Sequence, residues 1–149
     1  MRVVVDADRL TTLLADRLTA IVPNGIYVEA DDGMVRYSAE EGRFPGQTGS
    51  YHVGRAGSFV RTNFEALTGT TGQRLVRVCV HVLDELQDYV SEATHDPWPG
   101  RTAQPAPRAE LRRSELHLWY VGGGEVVLAC EPIALTALGP VRPGRSRRQ

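Results

Sequence analysis

No lysine occurs anywhere in this chain; all 17 basic side chains are arginine. The two cations differ chemically. A replacement that runs through loops, helices and tail alike, however, reflects a GC-rich codon supply and no single site. The absence still excludes something. There is no Gly-Lys-Ser/Thr, so the glycine-rich stretch Gly46–Gly57 is not a nucleotide phosphate loop. Its glycines also lack the G-x-G-x-x-G spacing of a dinucleotide fingerprint. A surface loop is the plain reading of that stretch, and a ligand-binding wall is the functional one.

Cysteine is scarce too. Only Cys79 and Cys130 are present, each inside an apolar run and far apart in sequence. A disulfide-stapled secreted domain carries more of them at closer spacing. Two reduced, buried thiols are expected, and with them a cytoplasmic location. No apolar run approaches the ~18 residues of a membrane span. The N-terminal MRVVVDADRL meets aspartate at once and does not read as a signal peptide. The net charge of −1 gives no global reason to expect nucleic acid or a membrane surface as partner.

What is present suffices for one globular domain. A chain of 149 residues buries about 70% of its unfolded surface on folding and needs no staple. The expected organisation is a single domain over residues 1–139, with a Pro-rich loop at 99–110, and a disordered Arg-rich tail at 140–149.

Leu10, Leu13, Leu14, Leu18, Ile21 and Val22 recur at helical spacing, with Asp6 or Asp8 able to cap the start, so a helix is expected from about Asp8 to Val22. Ile26–Ala30 and Met34–Tyr37 flank Asp31-Asp32-Gly33 and predict a hairpin. Tyr51-His52-Val53 is expected to add a short strand, and Ser58–Leu67 a short helix. From Gln73 to Thr94 two patterns compete. Val76, Val78, Val80 and Val82 alternate as in a strand, while Leu75, Cys79, Val82, Leu83, Leu86, Val90 and Ala93 share a helical face. The unbroken length decides for a helix, with Thr70 and Gln73 at capping-box spacing. A second hairpin is expected from Leu116–Val121 and Val126–Cys130 around Gly122-Gly123-Gly124. Ile133–Leu138 reads as an edge strand or a helical turn. The predicted class is α+β: a two-layer sandwich, its antiparallel sheet built from two hairpins packed against two or three helices.

Two stretches carry a resemblance. LDELQDYVSEATHDPWPG (Leu83–Gly100), followed after a loop by LHLWY (Leu116–Tyr120), resembles a group of small actinobacterial proteins over about two-thirds of the chain. That group has no activity to transfer, so the likeness assigns no site residues. Separately, the order of elements is similar to that of type III secretion chaperone-like domains, which implies a protein-holding role. That likeness is one of topology alone.

No catalytic constellation is visible. There is no Gly-x-Ser-x-Gly elbow and no pair of histidines flanking a glutamate. No basic residue stands close to Cys130 in sequence to lower its pKa. His81, Asp84, Glu85 and Asp88 could offer a cation one helix face, but an ordinary solvated acidic face explains the same spacing. Asp84, Glu85, Asp88, Glu92 and Asp96 extend that face without a basic residue from Leu83 to Pro99. It could receive an arginine-rich partner, or the tail residues Arg142, Arg145, Arg147 and Arg148. Alternation puts Leu116, Leu118 and Tyr120 on one side of their strand and His117, Trp119 and Val121 on the other, where Trp119 is either core or the centre of an apolar interface.

The functional expectation is a non-catalytic intracellular binding or adaptor protein, with no cofactor and no metal. Its partner is a protein, or a second copy of the chain meeting the sheet face that bears Trp119. The expected partner residues are Trp119, His117, Val121, Asp84, Glu85, Asp88 and Glu92. The competing readings are a small enzyme or small-molecule-binding domain whose site is assembled from distant residues, and a nucleic-acid contact through the arginine tail.

Overall fold

The structure is a computed structural model that describes residues 2–31, 34–40, 43, 70–100 and 105–139. The expected strand at Tyr51–Val53, the helix at Ser58–Leu67, the loop at Gly46–Gly57 and the arginine tail lie outside the described residues.

The chain opens with a two-residue strand, β1 (Arg2–Val3), and helix α1 (Ala7–Thr19). Asp6 caps α1 by accepting a hydrogen bond from the Arg9 amide at 3.1 Å. Leu10, Leu14 and Leu18 are buried along one face. The helix ends three residues before the expected Val22. Pro23 disfavours helical geometry at the residue before it, and Thr19 turns its hydroxyl to Ala15 O at 2.7 Å and Val28 O at 3.1 Å. That second bond ties the end of α1 to the next strand.

β2 (Ile26–Asp31) and β3 (Met34–Ala39) form the first hairpin, with Asp31 opposite Met34. Ile26, Val28, Val35, Tyr37 and Ala39 are buried. A two-residue β4 (Thr70–Thr71) pairs antiparallel with β1, so Thr70 belongs to a strand.

Helix α2 (Gly72–Thr94) follows, and all seven residues of its predicted apolar face are buried. Val78 and Gln87 join them. At 100° per residue these positions cover about half the helix circumference, wide enough for two different surfaces to pack on one helix.

The second sheet is β5 (Ala106–Arg112), β6 (Glu115–Gly122) and β7 (Glu125–Ala129), with β8 (Ile133–Ala134) pairing to β6 beyond the end of β7. A 3-10 turn over Leu135–Leu138 follows, so the Ile133–Leu138 stretch is a strand and then a turn. Gly123 and Gly124 take φ of 62° and 83° at the β6–β7 turn, the left-handed pair that a two-residue hairpin demands. Tyr120 pairs with Leu128 and Val121 with Val126. Val127 is therefore an extra, unpaired residue, a β-bulge.

The α+β class and the packing of sheets against helices follow the sequence reading. Two particulars differ. First, residues 106–110, the latter part of the loop expected at 99–110, belong to β5, whose seven residues pair with Glu115–Val121. Second, among the described residues the two hairpins occupy separate sheets. They share α2 instead of a strand edge. Tyr37 from β3 donates its hydroxyl to Val82 O at 3.2 Å, and Tyr120 from β6 donates to Leu83 O at 2.7 Å.

Candidate partner-binding face

The face of β6 turned from α2 carries His117, Trp119 and Val121, all half-buried, while Leu116, Leu118 and Tyr120 are buried against the helix. Alternation along a strand dictates this division. The neighbouring strands complete the outer face. Arg108 is opposite Trp119 and Glu110 is opposite His117 on one side; Ala129 is opposite Trp119 and Val126 is opposite Val121 on the other.

Here the sheet forms a cleft of about 410 Å³ lined by Glu110, Arg112, His117, Leu118, Trp119, Val126, Ala129 and Cys130. That volume lies in the ordinary range for ligand sites. One wall is apolar, where Val126 is 60% exposed. The other is charged and internally paired. Arg112 Nη2 lies 3.6 Å from Glu110 Oε1, and His117 Nε2 lies 3.6 Å from Glu115 Oε1. An aromatic platform with a balanced polar rim suits recognition of a mixed surface.

The acidic residues predicted for a partner do not join this cleft. Asp84, Asp88 and Glu92 are exposed on α2 and Glu85 is half-buried, and α2 packs on the other side of the sheet. The predicted partner residues thus fall on two separate surfaces. His81 Nε2 sits 3.0 Å from Glu85 Oε2. Partial desolvation, and then the neighbouring carboxylates Asp84 and Glu92, hold the Asp88 carboxyl above its ordinary value. No group of three or more His, Cys, Asp and Glu side chains among the described residues is arranged to hold a metal ion, and no helix there is long and apolar enough to cross a membrane.

A larger hollow of about 620 Å³ runs between α1 and β2, lined by Thr12, Asp16, Thr19, Glu29 and Asp31 among others. It is a wide, open groove with no aromatic wall.

Sequence reasoning missed the β5 side of the cleft. Arg108-Ala109-Glu110-Leu111-Arg112 does alternate with period two, and Ala109 and Leu111 pack against the core. Flanking prolines hid that signal. Cys130, expected to be core, is only partly buried and lines the cleft. Burial pushes its thiol up to about 11, although Arg17 pulls the other way. Cys79 is fully buried, and burial first and the Cys130 charge second push its thiol up to about 12.

Comparison with protein families, with curated proteins and with solved structures finds no match to this chain.

Proposed function

We propose that this chain is a non-catalytic binding module, holding a protein partner in a chaperone-like manner on the outer face of the β5–β8 sheet. The observation that carries this reading is Trp119, a large aromatic side chain on the face turned from α2, lining a cleft with an apolar and a charge-paired wall. Tryptophan at the centre of a concave, partly desolvated patch is the residue type that dominates protein interfaces. The ionisable groups in the cleft favour recognition over chemistry. Cys130 stays a protonated thiol at neutral pH, and only the thiolate is a nucleophile.

The test is affinity purification from the native cell with the full chain and with Trp119→Ser, both first shown to melt at the same temperature. One protein enriched by the parent and lost with the variant is expected. Adding that protein should shift the Trp119 emission in a Trp98→Phe background. Sedimentation of the chain alone across concentrations separates a second copy from a different partner. Enrichment of nothing, together with a small molecule that raises Tm, would turn the reading to a ligand-binding domain or enzyme.

A further inference from the structure

β2 has an open edge beside α1. Among the described residues its one strand neighbour is β3. Asp31 is opposite Met34, and the two-residue turn between them makes that pair hydrogen-bonded, so bonding alternates from there. Glu29 and Asp31 address β3, whereas Val28 and Ala30 turn their amides and carbonyls to the other edge. Thr19 agrees, since its hydroxyl finds Val28 O on that side at 3.1 Å. The groove of about 620 Å³ lies along this edge, lined by Thr12, Asp16 and Thr19 of α1 and by Val28–Asp31. It holds the carboxylates of Asp16, Glu29 and Asp31, and no basic side chain lines it among the described residues. The C-terminal segment is delivered to the head of α1. Leu138 O accepts from the Asp6 amide at 2.7 Å, and Ala137 O from Arg9 Nε at 2.8 Å. Gly139 continues extended, at φ −77° and ψ 165°. A small hollow of about 170 Å³, lined by Asp8, Arg9, Thr12 and Leu13, starts there, and Thr12 also lines the groove. From Asp6 to Thr12 is about 9 Å along the helix, and residues 139–144 span up to about 20 Å when extended.

We propose that residues 145–148 of this chain dock in the groove as an antiparallel strand on the open edge of β2, with Arg145 opposite Asp31 and Arg147 opposite Glu29. Thr19 meets Val28 at one end of the groove, so Thr12 and Asp31, each about 10 Å further on, form the other. A chain arriving past Thr12 meets Asp31 first and runs against β2. Ser146 then faces Ala30 and exchanges both backbone hydrogen bonds with it. Arg145 and Arg147, two residues apart, fall on the sheet face that carries Glu29 and Asp31, and opposite charges directly across a ladder attract. Arg148 falls on the α1 side, where Asp16 stands, and Arg142 passes Asp8. Asp16 already pairs with Arg17 and Asp31 with Arg36; Asp8 and Glu29 hold no ion pair among the described residues. Residues 145–148 contain no proline or glycine to weaken a strand. The acidic face of α2 offers carboxylates too, but its backbone groups are closed within the helix and present no edge. Docked, the tail covers an edge that would otherwise pair with another molecule.

The test is nuclear magnetic resonance on the full chain at low salt. The expected signature is a close Hα–Hα contact between Arg147 and Glu29, with an Ala30 amide that exchanges slowly with solvent. Ser146→Pro removes the amide that bonds Ala30, and Arg145→Glu with Arg147→Glu reverses the charge pairing. Each should speed Ala30 exchange about tenfold or more while leaving the Leu83 and Leu86 amides of α2 unchanged. Adding Glu29→Arg and Asp31→Arg should restore protection to the charge-reversed tail. An Ala30 amide that exchanges freely in the parent would mean an empty edge. Equal protection in the parent and both tail variants would put another segment of the chain there. An Hα–Hα contact seen only between differently labelled copies would make the site intermolecular. Each of these three results overturns the proposal, and none depends on the Trp119 cleft.

Discussion

Tyr37 and Tyr120 come from different sheets and donate their hydroxyls to the adjacent carbonyls Val82 and Leu83 in the middle of α2. The two sheets are thereby keyed to one place on one helix. Each phenol is buried, and burial before all else raises it above its ordinary value of 10.0. Tyr37→Phe and Tyr120→Phe should each cost about 1 kcal/mol in urea unfolding at pH 7. The pH dependence has a definite sign. A folded value raised above the unfolded one means that the unfolded phenols ionise first, so stability is full below about pH 10 and declines as pH rises beyond it. The double Phe variant should lose less stability between pH 9 and pH 11 than the parent.

Gln87 is a polar side chain 2% exposed, and its amide reaches Pro105 O where β5 begins. Gln87→Ala removes the donor and strands a buried carbonyl, which should cost roughly 1–3 kcal/mol. Hydrogen exchange should localise the damage, with β5 amides opening before those of β7.

The β5–β6 turn uses Arg113 and Ser114 at φ of 54° and 64°, a left-handed pair built without glycine. Asn-Gly adopts that geometry more readily, so the double substitution Arg113→Asn, Ser114→Gly should stabilise the fold by about 0.5–1 kcal/mol. An unchanged midpoint of chemical unfolding would mean that this turn is not strained.

Asp88 stands between two like charges at i−4 and i+4, and its carboxyl value is raised. A raised acid favours the folded state only when protonated, so at neutral pH the charge is a liability that fades as pH falls through the folded value. Asp88→Asn should therefore stabilise by a few tenths of a kcal/mol at pH 7, and the gain should vanish below the carboxylate range. Melting curves at pH 7 and pH 3 check both halves.

The sequence made α2 legible because its apolar residues keep a 3.6-residue period from Leu75 to Ala93 and no proline interrupts them. The hairpins were legible through Asp32-Gly33 and the Gly122–Gly124 run. β5 was not. Pro105 and Pro107 argue against a strand in general, yet an edge strand tolerates the missing amide, and its turn residues Arg113 and Ser114 announce nothing. β1 and β4 are two residues each and depend on one another across nearly half of the chain. The outward turn of Trp119 followed from strand alternation. Its neighbours Glu110, Arg112 and Val126 depend on pairing register, and the keying of Tyr120 to Leu83 depends on how a helix sits over a sheet. Neither relation leaves a trace in local sequence.

The unpaired Val127 matters beyond the hairpin that contains it. On the rim of its sheet β7 offers a run, Val126-Val127-Leu128, of the kind that recruits strands from other molecules. An inserted residue throws the outward-facing amides and carbonyls out of the two-residue rhythm that an incoming strand must match. The rim can thus stay apolar enough to wall the Trp119 cleft without seeding fibrous growth, and a protein of this shape should tolerate crowding that would precipitate a chain with a regular margin.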